Sequence, residues 1–310
     1  MDAPEAFCCV ASFQAQEAQY GTAAAGVDAW FALECDGPWA AKAWPAAPIP
    51  EPARAHVDAW VEATPGARVQ LIRREQRRTH GDVVLLLANG RQDHPSVAEY
   101  RLQSFDQLVD LDLTAAITAL RMGELPTDAH APTQPVALVC TNGKRDRCCA
   151  KWGVPVYEAM AADPRVQTWQ TTHLGGHRFA ATMVWLPSGL CHGRVAPEHI
   201  DGLIGAIAGG QIGPLDLLRG RASLVEAAQA AEYVLRKQHG LAGLDEVVIE
   251  HAEAQAEAQD ARWLVSGRVL DRRVRIELRE VSLGVVAPPS CGKDPQPISR
   301  WEVVSTGPGA

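Results

Sequence analysis

The residues best suited to chemistry stand in two short segments. CTNGKRDRCC (Cys140 to Cys149) sets two thiols nine residues apart, and THLGGHRFAA (Thr172 to Ala181) sets two imidazoles, His173 and His177, four apart. Gly175-Gly176 between the histidines argues against a helix, because a glycine pair lets the backbone curl until both rings face one point. Two thiols and two imidazoles are soft or borderline ligands, suited to zinc, iron–sulfur or copper rather than calcium or magnesium. Two ordinary loop cysteines beside a hydrogen-bonding histidine pair would leave the same pattern, and spacing alone keeps both readings open.

The neighbouring residues carry a second layer of expectations. Lys144, Arg145, Arg147 and Lys151 crowd the cysteine loop, with Asp146 the only acid among them; they make either a docking face for an acidic electron donor or a solvated loop. Asp146 is placed to anchor that loop by accepting backbone N–H bonds. Trp152, Phe179 and Trp185 read as core or shielding residues. Cys8-Cys9, Cys35, Cys191 and Cys291 follow no pairing pattern and read as free thiols. His192 lies beyond the strand that follows His177, too far to compete as a ligand. His56, His80, His94, His130, His199, His239 and His251 are scattered and read as surface or helix residues. No G-x-S-x-G, Walker A or G-x-G-x-x-G pattern occurs, and no paired carboxylates suggest a glycosidase.

Rigid elements must hold these loops. Val136-Ala137-Leu138-Val139 is a short buried strand running into Cys140. A helix is predicted over Pro155 to Ala162, strands over Val166 to Thr171 and Ala180 to Leu186, and a helix over Pro197 to Gly209 with proline in its first turn. This β–loop–α–β–β–α order suits a small α/β domain of thioredoxin type. Ahead of it, Trp30 to Leu33, Val69 to Ile72 and Val83 to Leu87 read as strands, two of them buried on both faces. Helices are predicted at 53–63 and 111–122, Gly123 ending the second. Behind it come a helix at 223–239 and strands at 262–270, 272–281 and 298–304, with the Ala/Glu/Gln run 252–259 read as solvated helix or loop. The fold class is therefore α/β (α+β): an N-terminal α/β domain over 1–130, a thioredoxin-like domain over 131–215, and a C-terminal helix plus strands over 216–310. Whether the first of these is a partner-binding domain or a degenerate copy of the second is open at this level.

Composition bounds the rest. Of 310 residues, 47% are apolar and 21% charged, a globular balance. The 37 acidic against 29 basic residues give −8, which speaks against non-specific nucleic-acid binding. The opening residues lack the pattern of a secretory signal, and no stretch reaches the roughly 18 apolar residues of a membrane span. A cytoplasmic protein without membrane or nucleic-acid partners is expected; a homodimer is compatible with the sequence.

VCTNGKRDRCCAKWG and THLGGHRFAATMVWLPSG resemble the sucrase/ferredoxin-like proteins, as does AQYGTAAAGVDAWFALECDGPWAAKA with Gly21-Thr22-Ala23, Trp30, Glu34, Gly37, Pro38 and Trp39 in place. The resemblance runs from residue 8 to about 210 and fades beyond. It implies a thioredoxin-like ferredoxin with a 2Fe-2S cluster on Cys140, Cys149, His173 and His177. The family pattern R-D-x-x-C points to Cys149, with adjacent Cys148 the fallback. Imidazoles in place of two thiolates would leave the oxidised core about neutral, raise its potential and couple electron to proton transfer. Relatives that end in tryptophan use it in cluster delivery; the Gly-Ala ending here leads us to expect that device to be absent. The resulting expectation is an electron carrier, rather than a stand-alone catalyst, that exchanges electrons with a redox protein. A zinc-stabilised module on the same four ligands is the alternative; a thiol–disulfide enzyme is weaker for want of C-x-x-C.

Overall fold

The computed structural model describes residues 7–74, 81–255 and 262–309. After a short helix α1 (Cys8–Gln14), the first unit runs β1 (Ala29–Glu34), α2 (Glu51–Ala63), β2 (Ala67–Arg73), β3 (Val83–Asn89), β4 (Ser96–Leu102) and α3 (Leu113–Arg121). The second runs β5 (Val136–Cys140), α4 (Arg147–Ala161), β6 (Gln167–Thr171), β7 (Met183–Leu186), β8 (Leu190–His192) and α5 (Ile200–Ala208). β9 (Leu218–Arg221) follows, then α6 (Glu226–His239) and a separate antiparallel sheet of β10 (Val247–Gln255), β11 (Arg262–Val269), β12 (Arg272–Ala287) and β13 (Gln296–Pro308).

Both units have one connectivity. In the first, β1 pairs parallel with β2 and antiparallel with β3, which pairs antiparallel with β4. In the second, β5 does the same with β6 and β7, and β7 with β8. This is the thioredoxin-like arrangement, present twice, so the first segment is a topological copy of the second. The two are joined by the antiparallel pairs Ile72↔Thr171 and Arg73↔Gln170, which makes one nine-stranded sheet in the order β4-β3-β1-β2-β6-β5-β7-β8-β9. The join lies immediately before His173. The copy is chemically different: Glu34 pairs with Ile72 as Cys140 pairs with Thr171, and its buried carboxylate accepts from the Val84 N–H at 3.0 Å. No thiol stands at that register in the first unit.

β1, β3 and β5 are buried along their whole length, as apolar runs between layers must be. Several boundaries correct the sequence reading. α4 begins at Arg147, eight residues before Pro155: the Asp146 carboxylate caps it, and proline sits inside the helix rather than at its start. β7 begins only at Met183. Residues 252–255 of the Ala/Glu/Gln run belong to β10, not to a helix or loop, and 256–261 lie outside the described residues. Among the described residues no helix is long and apolar enough to cross a membrane.

Candidate metal centre

Cys140 ends β5, and Cys149 stands in the first turn of α4. The N–H of Cys148 donates to Asp146 Oδ1 at 2.9 Å, so the aspartate expected to anchor the loop through backbone N–H bonds does so as the cap of α4. With 3.6 residues per turn, successive side chains leave the helix about 100° apart, so Cys149 and Cys148 face different neighbours. Gly153 lets the helix come close: a Cβ there would stand 2.1 Å from the Cys140 carbonyl oxygen.

The histidine loop is held by two arginines. Arg68 donates to the His173 carbonyl at 2.9 Å, and Arg219 to the Gly175 carbonyl at 3.1 Å. Gly175 and Gly176 have φ of +94° and +67°, and a Cβ on Gly176 would stand 2.1 Å from the Arg219 guanidinium. Conformation thus favours glycine at both positions, and at Gly176 space does too. Arg219 is buried, which pulls its pKa down to about 10. It also donates to the Thr22 hydroxyl at 3.2 Å and to the Thr22 carbonyl, so the Gly21-Thr22-Ala23 segment braces the loop from behind.

The sulfurs of Cys140 and Cys149 and a ring nitrogen of His173 lie within 4.8 Å of one another. Cys149 Sγ is 3.9 Å from His173 Nδ1, and His173 Nε2 is 3.3 Å from His177 Nδ1. His177 therefore reaches the group through His173. Its Nε2 is buried without a hydrogen bond, 3.6 Å from Asp146 Oδ2. Both thiols are buried. A hydrogen bond from Cys149 holds the Cys140 thiol well below its ordinary range against burial, helped by His173 and the Leu174 N–H. The Cys149 thiol, as donor and buried, is pushed up. Burial also lowers His177, with Asp146 opposing. For Asp146 burial acts upward, but the N–H groups of Cys291 and Cys148, the Ser290 hydroxyl and His177 outweigh it and hold the carboxyl at about 2. Two buried sulfurs, an imidazole and an unpartnered second imidazole nitrogen form a donor set that fits a soft metal centre.

Cys148 lies elsewhere, against Cys8 and Cys291 at 3.4 Å from each. His192 bonds the Ile212 carbonyl at 2.9 Å on β8, apart from the group. Phe179 and Trp185 are buried as expected, whereas Trp152 is 40% exposed, its ring beside Lys151, and is no core residue. Lys144, Arg145, Arg147 and Lys151 are all exposed. Sequence reasoning missed Arg68 and Arg219, whose only signal is a basic residue inside a strand, half-buried in β2 and fully buried in β9.

A family model described as Sucrase/ferredoxin-like matches residues 20–220. Altered inheritance of mitochondria protein 32 of Meyerozyma guilliermondii is 33% identical over 84 residues, 23% of this chain; the chain spans 29% of that relative. Two structures of a thioredoxin-like 2Fe-2S ferredoxin from Aquifex aeolicus, one a cysteine-to-serine variant, are 20% and 21% identical. They cover 27% and 28% of this chain and 96% and 91% of their own, each at a TM-score of 0.24.

Proposed function

This chain belongs to the sucrase/ferredoxin-like family, and from that premise we propose that it transfers electrons on a 2Fe-2S cluster held by Cys140, Cys149, His173 and His177. The observation that carries the reading is the convergence, at the mouths of β5 and β6, of two buried thiols and one imidazole within 4.8 Å, with a second imidazole 3.3 Å behind. When bound, such a cluster accepts and returns one electron, at a potential raised by neutral imidazoles. The chain's own residues do the rest. Arg68 and Arg219 hold the loop backbone so that both rings keep their places. His177 Nε2, opposite Asp146 Oδ2, is the atom at which a proton accompanies the electron. The exposed Lys144, Arg145 and Lys151 offer an acidic redox protein a landing face.

A visible spectrum of the freshly purified full chain, with iron and zinc counted per chain, tests this. Absorption in the visible with two irons, lost in Cys140→Ser, is the expected result. Colourless protein that holds one zinc through Cys140 and Cys149 would replace the cluster by a structural ion. That second reading draws on the same 4.8 Å grouping, which also suits one tetrahedral ion.

A further inference from the structure

All eight cysteines are free thiols, and two of them belong to the centre just described. Of the other six, four gather in one place, Cys8 and Cys9 on α1, Cys148 on α4, and Cys291 in the turn between β12 and β13, and of these Cys8, Cys148 and Cys291 touch one another. Their sulfurs are separated by 3.4 Å (Cys8 to Cys148), 3.4 Å (Cys148 to Cys291) and 3.7 Å (Cys291 to Cys8). Asp146 closes the group, with both carboxylate oxygens 3.9 Å from Cys8 Sγ. All four donor atoms lie within 4.8 Å of one another.

We propose that Cys8, Cys148, Cys291 and Asp146 form a second metal site, distinct from the redox centre, that binds one zinc-type soft divalent cation and fastens both ends of the fold to the ferredoxin unit. A zinc ion bonded at about 2.3 Å to each thiolate sets tetrahedral sulfur–sulfur edges of about 3.8 Å, and the observed triangle is close to that size. Three mutually touching thiols also match a metal better than a disulfide, which joins only two and leaves the third buried sulfur unused. The Cys8 and Cys9 thiols both hydrogen-bond to Cys148. The Asp146 carboxylate is held in place by the N–H groups of Cys148 and Cys291, at 2.9 Å each, and by the Ser290 hydroxyl at 2.8 Å. Oδ2 takes the bonds from Cys291 and Ser290 and Oδ1 the one from Cys148, which leaves a lone pair on Oδ1 for a cation. The site needs no electron chemistry: its three segments have only a small apolar contact there, made by Phe7, Cys9 and Ala180 around the thiols, and an ion bonded to all three supplies the missing fastening.

The test uses the full chain carrying Cys140→Ser and Cys149→Ser, which removes the first centre and any colour it contributes. Cobalt(II) added to this protein should bind at one equivalent per chain with intense thiolate-to-cobalt absorption in the near ultraviolet, and zinc should displace it. Cys8→Ser and Cys291→Ser, each added separately, should abolish that absorption, while Cys35→Ser should leave it intact. Should Cys8→Ser fail to fold, Cys291→Ser decides, because it alters a partly exposed turn. An unchanged absorption in Cys291→Ser, its absence from the parent protein, or a disulfide among the three cysteines in non-reduced peptides would each overturn the proposal. Failure of the cluster reading would show instead as colourless wild-type protein and would leave the cobalt result untouched.

Discussion

At the scale of single residues, adjacent cysteines have separate tasks. Cys149 turns toward Cys140 and His173, and Cys148 toward Cys8 and Cys291. Cys149→Ser should therefore bleach the protein while Cys148→Ser keeps its visible absorption; the reverse outcome would shift the ligand assignment by one residue. The histidines make a separate prediction. The midpoint potential should lie above the roughly −400 mV of an all-cysteine plant-type ferredoxin. His177→Cys should lower it, since a thiolate adds negative charge beside the same metal. Voltammetry of both proteins settles the sign, and a midpoint at or below the plant-type value would remove the imidazoles from the ligand set.

At the scale of elements, the closeness of α4 to β5 depends on Gly153. Gly153→Ala should cost about 1–3 kcal/mol of stability, because its methyl group meets the Cys140 carbonyl and backbone cannot step aside as a side chain can. Urea unfolding followed by circular dichroism measures it. This region also shows why parts of the chain were readable. Uniform burial made β1, β3 and β5 legible as unbroken apolar runs, and the candidate ligands were legible from their types and spacing, although only Cys140 itself ends a strand. α4 was only half legible: Pro155 resembles a first-turn proline, and the true start is a capping bond from a single aspartate. β10 was hidden by composition, since Ala, Glu and Gln favour helices in isolation while pairing with β11 decides their state here. The meeting of Cys8, Cys148 and Cys291 left no local signal at all. It is a product of the tertiary fold.

At the scale of the molecule, α6 ties the sheet of paired units to the C-terminal sheet. Its Glu232 accepts from Arg221 at 3.0 Å and Arg236 at 2.9 Å, all three side chains buried, and those arginines also donate to the Leu244 and Gly243 carbonyls. Burial would raise the Glu232 carboxyl, but the two guanidinium groups hold it below its ordinary value. Glu232→Gln should cost about 3–5 kcal/mol, by leaving two buried cations without their counter-charge, and should loosen the C-terminal sheet first in hydrogen exchange. A uniform loss of protection would place the tie elsewhere.

The turn that carries Cys291 also donates two hydrogen bonds to Asp146 and sets the Pro289 backbone against the His177 ring. Its distance along the chain gives this arrangement a place in time. All four residues of the first centre are made by residue 177, whereas the turn that walls it lies more than a hundred residues later. At about 5–20 residues per second of synthesis, the histidine side of the centre stays uncovered for some seconds on the ribosome. An ion bound by these residues would enter unobstructed in that interval, and completion of the last hairpin would cover it.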